Sequence, residues 1–171
     1  MVHIRPLFIG TALAAGLFAT FGQAQSSGEI TVMIAGAERT IPVWAEQSDW
    51  SGSEDWPSIN IHVRDFTDNG EEPIVVSLGF EASRWEPSVP ELDMSLYENK
   101  ERVAVLYGRE EQERGGLSVT LDDHSIDGTQ LSISGSFEGK LGPSDNFGND
   151  IDLSQGVPVT GTFSVTLEQL E

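Results

Sequence analysis

The sequence of 171 residues contains no cysteine. This absence excludes disulfide bonds, thiolate metal sites and cysteine nucleophiles, and it also excludes a lipid anchor on an acylated cysteine. Cations are scarce as well, because only nine Lys and Arg side chains stand against 28 Asp and Glu side chains. A chain this acidic repels nucleic acid and anionic lipid surfaces, so we expect neither as a partner.

Signatures of catalysis are also missing from the sequence. It has no Gly-x-Ser-x-Gly nucleophile elbow, no His-Glu-x-x-His zinc motif and no phosphate-binding loop. After residue 24 there are two histidines, His62 and His124, in separate segments. The sequence therefore predicts no catalytic residue and favours a binding or interaction module. The alternative is a secreted hydrolase or lyase that acts through carboxylates.

The first 24 residues differ from the rest of the chain. A basic start precedes an uncharged apolar run over residues 7–21, and the small residues Gly22 and Ala24 then stand where a signal peptidase requires them. This order predicts a signal peptide over residues 1–24 and one mature domain over residues 25–171. The apolar run is shorter than the roughly 20 residues of a membrane span. We therefore expect an exported bacterial protein, periplasmic or extracellular, with no membrane span in its mature form.

Removal of the signal peptide leaves eight basic and 28 acidic side chains, a net charge of −20 over 147 residues. Such a charge favours solubility and suits the binding of cations or basic partners, and it equally suits a saline habitat. A domain of this size buries roughly 70% of the surface of its unfolded chain. We expect its own apolar core to hold it together.

The apolar residues of the mature domain alternate with polar ones instead of recurring at helical spacing. Residues 59–64 alternate isoleucine or valine with asparagine, histidine and arginine, and residues 74–80 repeat the alternation. Turn residues such as Asp127-Gly128 separate these segments. The pattern predicts an all-β fold, an antiparallel β-sandwich of about nine strands, with a barrel as the alternative.

Two nine-residue segments near the C-terminus, residues 133–141 and 159–167, match each other. Each has a glycine two positions before a phenylalanine, and on a strand both residues face the core while Ser and Thr side chains face outward. A glycine on the buried face leaves room for a neighbouring ring or marks a bulge. We expect two long strands in equivalent positions, with adjacent antiparallel pairing as one arrangement and a structural role favoured over a binding role.

The long connections predicted over residues 45–57 and 142–156 are the places where sites usually lie on a sandwich. The second connection is rich in oxygen donors of the kind that calcium prefers. These donors are Asp145, Asn146, Asn149, Asp150 and Asp152. Their spacing does not match an EF-hand, and a loop of Asx-turns, whose side chains bond their own backbone, is the favoured interpretation. Calcium is the one cofactor that the sequence suggests.

Three tryptophans form the second candidate site, for a carbohydrate or another ligand. Trp50 and Trp56 bracket an apparent loop, and Trp85 lies in another connection beside charged residues. Aromatic faces stack on sugar rings, but a loop tryptophan can equally cover the end of the core, which is the interpretation that we favour. A glycan and a protein both stay open as partners.

Overall fold

The computed structural model describes residues 25–67 and 71–170, so the predicted signal peptide lies outside the described residues. The described part consists of ten strands and two short 3-10 turns, and none of its residues forms a helix able to cross a membrane. The strands are β1 (Ser27–Ile34), β2 (Ala37–Pro42), β3 (Asp49–Ser53), β4 (Trp56–Asp65), β5 (Ile74–Ser83), β6 (Glu86–Glu98), β7 (Glu101–Arg109), β8 (Ser118–Asp127), β9 (Gln130–Pro143) and β10 (Val157–Gln169). The turns are η1 (Gln112–Arg114) and η2 (Leu153–Gln155).

Hydrogen bonds join the strands in the order β2-β1-β10-β3-β4-β5-β6-β7-β9-β8, and β9 also pairs with β10. The β10–β3 and β7–β9 pairings involve only two residue pairs each. We therefore describe two five-stranded sheets: a first sheet, β2-β1-β10-β9-β8, and a second sheet, β3-β4-β5-β6-β7. The predicted all-β, antiparallel fold is confirmed, with ten strands and one short parallel pairing between β10 and β3.

The two sheets enclose a single apolar core. Along β4, Ile59, Ile61 and Val63 are fully buried, and the residues between them face outward, as the alternation predicts. The rings of Phe80 from the second sheet and Phe163 from the first sheet meet with their centroids 6.0 Å apart. Burial of this apolar surface is the main favourable contribution to the folding of the cysteine-free chain.

The matching segments are adjacent antiparallel strands in the first sheet. In the β9–β10 register Gly135 lies opposite Phe163, and Phe137 lies opposite Gly161. Each glycine therefore leaves room for the phenylalanine ring of the other segment, which is the first of the two roles that the sequence allowed. A Cβ added to Gly135 would lie 2.7 Å from Cζ of Phe163, closer than two carbon atoms can approach.

The predicted long loop over residues 45–57 is wrong, because β3 (Asp49–Ser53) lies inside it and forms a hairpin with β4. The strand has only five residues and pairs with β10 through its first two. Its sequence, Asp-Trp-Ser-Gly-Ser, carries one apolar side chain, so alternation gives no signal there. The strand brings Trp50 into the core and makes the second sheet one strand wider.

Candidate functional site

The five predicted calcium ligands lie in the loop between β9 and η2. Asp145, Asn146, Asp150 and Asp152 line a depression of about 620 Å³, and Asn149 donates from its side-chain amide to the carbonyl of Asn146 at 2.7 Å. The loop therefore gathers these oxygen-bearing side chains around one surface depression.

Three of the five side chains, those of Asn146, Asp150 and Asp152, already accept hydrogen bonds from neighbouring groups of the chain. The Asn146 Oδ1 accepts from the backbone N–H of Asp150 at 2.8 Å and from the Ser144 hydroxyl at 2.9 Å. The Asp152 carboxylate caps η2, accepting from the Ser154 N–H at 2.9 Å. These are the bonds of an Asx-turn loop, the interpretation that the sequence favours over a calcium site. Within residues 25–67 and 71–170, no three Asp, Glu or His side chains converge as a metal site requires.

The role of Asp152 can be tested without a metal. Hydrogen bonds from Ser154 and then from Gln155 lower the pKa of the Asp152 carboxyl below its ordinary value. We expect Asp152→Ala to lower the free energy of unfolding, because the N–H of Ser154 in η2 loses its acceptor. Urea denaturation measures it, with Asp145→Ala, an exposed carboxylate of the same loop, as the control. If millimolar calcium stabilised the wild type and did not stabilise Asp152→Ala, Asp152 would instead be a calcium ligand.

The three predicted ligand-binding tryptophans lie in different surroundings. Trp50 is only 1% exposed and donates its indole N–H to the Thr129 carbonyl at 2.9 Å, so it packs in the core as the favoured interpretation expects, but from a strand and not from a loop. Trp85 lies in the β5–β6 turn and stacks on His124 with the ring centroids 3.9 Å apart. Trp56, in contrast, is 60% exposed. Of the three, Trp56 offers the largest free ring surface for a ligand.

Trp56 belongs to a row of outward side chains on β4. Because Pro57, Ile59 and Ile61 point into the core, the residues at even positions point to solvent. These are Trp56, Ser58, Asn60, His62 and Arg64. At about 3.3 Å per residue, the row extends over about 20 Å from Trp56 to His62.

Neighbouring strands continue this surface on both sides. On β3, Asp49 lies opposite Asn60 and accepts from its side-chain amide at 3.2 Å. On β5, Ser77 lies opposite His62 and Gly79 lies opposite Asn60, so the middle of the surface carries small residues. On β6, Asp93 lies opposite Ser77. We call this outer surface of the second sheet the β4 face; it comprises Trp56, Ser58, Asn60, His62, Asp49, Ser77, Gly79, Glu81, Glu91 and Asp93.

His62 lies near the centre of the β4 face and is partly buried there. Burial lowers the pKa of its imidazole below the ordinary value of 6.5, while the negative charges of Asp49 and Asp93 oppose that shift. The net result is an imidazole that stays neutral to a lower pH than in the unfolded chain. A neutral imidazole presents one donor and one acceptor, a combination suited to hydroxyl groups.

The lowered pKa makes the stability contribution of His62 depend on pH. As the pH falls below about 6.5, the unfolded chain binds a proton at His62 before the folded protein does, so stability is lost down to the folded pKa. We expect the free energy of unfolding of the wild type, relative to that of His62→Gln, to decrease as the pH is lowered from about 7.5 to about 5. Urea denaturation of both proteins across this range measures it. Parallel stability curves would contradict the lowered pKa.

Arg109 fixes the position of Asp93 on the β4 face. Its guanidinium, in a residue only 6% exposed, donates to Asp93 Oδ1 at 2.7 Å and to the Gly108 carbonyl at 2.9 Å. The loop after β9 covers this arginine, since a Cβ on Gly148 would lie 2.7 Å from its Nη2. A charge-assisted bond of this length holds the carboxylate in one orientation.

The outer surface of the first sheet has a different chemistry. A row of hydroxyls crosses all five of its strands, formed by Thr40, Thr31, Thr162, Ser136 and Thr120. Among the described residues, this surface carries no outward aromatic ring. It offers hydroxyl groups beside the exposed thioether of Met33, whereas the β4 face combines hydrogen-bonding groups with an exposed tryptophan.

Sequence reasoning assigned sites to loops and missed the β4 face. Only Trp56 was among the predicted site residues, and it was placed in a loop and not on a strand. The available signal was the alternation itself, since Trp56, Ser58, Asn60 and His62 occupy the outward positions of the most regular strand pattern. Asp49 and Asp93 belong to the same surface because of the order of the strands, and alternation within one strand does not predict that order.

The comparisons with known proteins do not assign the site. No protein-family model matches this chain, and neither a curated protein nor a solved structure is significantly similar to it. The functional argument therefore depends on the chemistry of the β4 face.

Proposed function

We propose that this chain is an exported, non-enzymatic β-sandwich module that binds a glycan on the β4 face. One observation carries the proposal: an exposed tryptophan ring shares an outward row on β4 with Asn60 and His62. An aromatic ring stacks on the apolar face of a sugar, and amide and imidazole groups exchange hydrogen bonds with its hydroxyls. The row is long enough for an extended oligosaccharide to lie along the strand.

The composition of the face favours a glycan over a folded protein partner. Stable protein interfaces bury an apolar centre that holds several large side chains. The β4 face has a single large exposed apolar side chain, Trp56, and its remaining members are polar, charged or glycine. A polar surface with one stacking ring matches the needs of a sugar, whose own surface is mostly hydroxyl.

The start of the fold supports the export part of the proposal. Ser26 is buried, its hydroxyl donates to the Ser48 carbonyl at 2.6 Å, and the Glu168 N–H donates to that hydroxyl at 3.0 Å. Ser26, the first buried residue in the part of the chain that the structure describes, thus stands two positions after the predicted cleavage site at Ala24. Cleavage there would leave every one of these contacts intact.

Titration of the tryptophan fluorescence with soluble polysaccharides tests glycan binding. We expect saturable binding of at least one polysaccharide, with a loss of affinity of at least tenfold in Trp56→Ala, as for a central aromatic contact. Phe147→Ala is the matched control, because Phe147 is 84% exposed and lies outside the β4 face. Absence of binding across neutral, anionic and cationic polysaccharides would overturn the proposal, as would equal losses in the two variants.

A carboxylate-dependent hydrolase or lyase is the second candidate function. The observation in its favour is His62, whose imidazole lies close enough to Asp49 and Asp93 for their negative charges to act on its pKa, so a general base stands beside carboxylates. The same polysaccharide panel distinguishes it, because an enzyme releases new sugar ends or unsaturated products with time. Product release that is lost in His62→Gln and in Asp93→Asn would replace the binding proposal by the enzymatic one.

A further inference from the structure

We infer that the glycan bound by the β4 face carries positively charged amino groups, as in a chain of glucosamine units. This inference rests on the proposed function and specifies its ligand class. It follows from the charges around Trp56 and along β6, and from the way in which the few cations of this surface are already used.

Carboxylates surround the exposed ring of Trp56. Glu54 and Asp55 form the turn immediately before it, and both are exposed. On the next strand, Glu81 lies opposite Ser58, two residues along β4 from Trp56, and Glu86 lies opposite Ser83. An ammonium group over the face of a tryptophan is attracted by the ring, and nearby carboxylates add to that attraction.

The cations near this surface are outnumbered by its carboxylates, although the exposed Arg84 follows β5 and its N–H donates to the Asp55 carbonyl at 2.8 Å. Arg109 is bonded to Asp93, and Arg64 lies over the ring of Trp44 at 3.9 Å. Glu91 stays 59% exposed although it lies 3.6 Å from Arg109. The mature domain has a net charge of −20 besides, so an anionic polysaccharide would be repelled as a whole. Charge complementarity therefore selects a cationic glycan over a neutral or an acidic one.

Both parts of such a ligand have a counterpart on the face. One sugar ring of the chain stacks on Trp56, and the hydroxyls of the following units bond to Asn60 and His62. The ammonium groups of the chain point to Glu81 and Glu91. Acetylation of the amino group removes its charge and leaves the sugar ring unchanged. Three ligands with the same linkage and length, differing only at carbon 2, therefore isolate the charge.

The experiment compares β-1,4-linked oligomers of glucosamine, N-acetylglucosamine and glucose in calorimetric titrations. The protein is purified from cells that express the full chain. We expect the glucosamine oligomer to bind about tenfold more tightly than the other two, as for a cation–π contact with added ion pairs. We also expect this preference to shrink as the salt concentration rises from about 0.05 to 0.5 M, because the pairs are exposed.

Two double variants separate the face from the overall charge. Glu81→Gln with Glu91→Gln should remove the preference for glucosamine, whereas Glu29→Gln with Glu138→Gln, on strands of the first sheet, should retain it. Equal affinity for the three oligomers would overturn the inference and leave the proposed function standing. Binding of none, together with a blank polysaccharide panel, would overturn both. Oligolysine binding as tightly as oligoglucosamine, and equally in Trp56→Ala, would show unspecific charge attraction and overturn the inference.

Discussion

Gly161→Ala is expected to lower the free energy of unfolding by about 2–3 kcal/mol, the upper part of the usual range for overpacking a core. A Cβ at this position would lie 2.7 Å from Cε1 of Phe137, closer still to its Cζ, and 2.6 Å from the backbone oxygen of Thr31. The ring can move only into a filled core, and the oxygen belongs to the β1–β10 ladder. Urea denaturation measures the change as a lower midpoint.

Gly79→Ala is the matched control for this variant. Gly79 also lies within a strand, but the nearest atoms to an added Cβ are Asn60 Oδ1 at 3.6 Å and the Ile59 oxygen at 3.8 Å, which are ordinary contacts. Since alanine also restricts the unfolded chain, we expect this variant to be unchanged or more stable by up to about 1 kcal/mol. Phe137→Leu should restore part of the stability of Gly161→Ala, since it removes the ring. Equal midpoints for wild type and Gly161→Ala would show that the reciprocal glycine–phenylalanine packing is unimportant.

The glycine–phenylalanine pairing also shows why this part of the fold was predictable. The information lies within each segment, because a glycine and a phenylalanine two residues apart share one face of any strand. Two copies of the pattern in reverse orientation place each glycine opposite a ring, which is the register observed for Gly135 and Phe163. Local periodicity and one repeated motif were enough to predict two equivalent strands, whereas their adjacent antiparallel pairing was one of the arrangements left open.

The third strand shows where periodicity stops being informative. Its five residues include two serines, a glycine and an aspartate, a composition typical of loops. It is a strand because β4 offers it a complete ladder of partners from Asp49 to Ser53. Tertiary context overrides a weak local preference there, and no property of the segment itself records that context.

The candidate site follows the same division. That His62 faces outward could be predicted from alternation, but its partial burial and lowered pKa could not, because they depend on neighbouring strands. Likewise, the carboxylate of Asp93 is held by Arg109, an arginine that is itself covered by the loop after β9. The sequence predicts which side chains share a surface within one strand. The order of the strands decides which of those side chains act together.

Trp50→Ala is expected to destabilise the domain by about 3–5 kcal/mol, the range for truncating a buried tryptophan. The side chain lies in the core, and its indole N–H reaches the Thr129 carbonyl in the turn between β8 and β9. The backbone oxygen of Trp50 also accepts from the Leu170 N–H at 2.8 Å. Trp50 thereby connects the second sheet to both strands of the β9–β10 pair at one end, where the start of β9 lies beside the end of β10.

Two further variants separate the contributions to that loss. Trp50→Phe keeps a ring in the core and removes one of the two donors to the Thr129 carbonyl, which still accepts from the Gln169 N–H at 2.9 Å, so we expect a smaller loss of about 1 kcal/mol. Trp56→Ala, six residues along the same hairpin, removes a ring that is 60% exposed and should change stability by less than about 1 kcal/mol. Thermal and urea denaturation of the three variants test whether Trp50 stabilises the fold while Trp56 contributes little to stability, as a ligand-binding side chain can. A large loss of stability in Trp56→Ala would show that this ring is structural and would remove the argument for the β4 face.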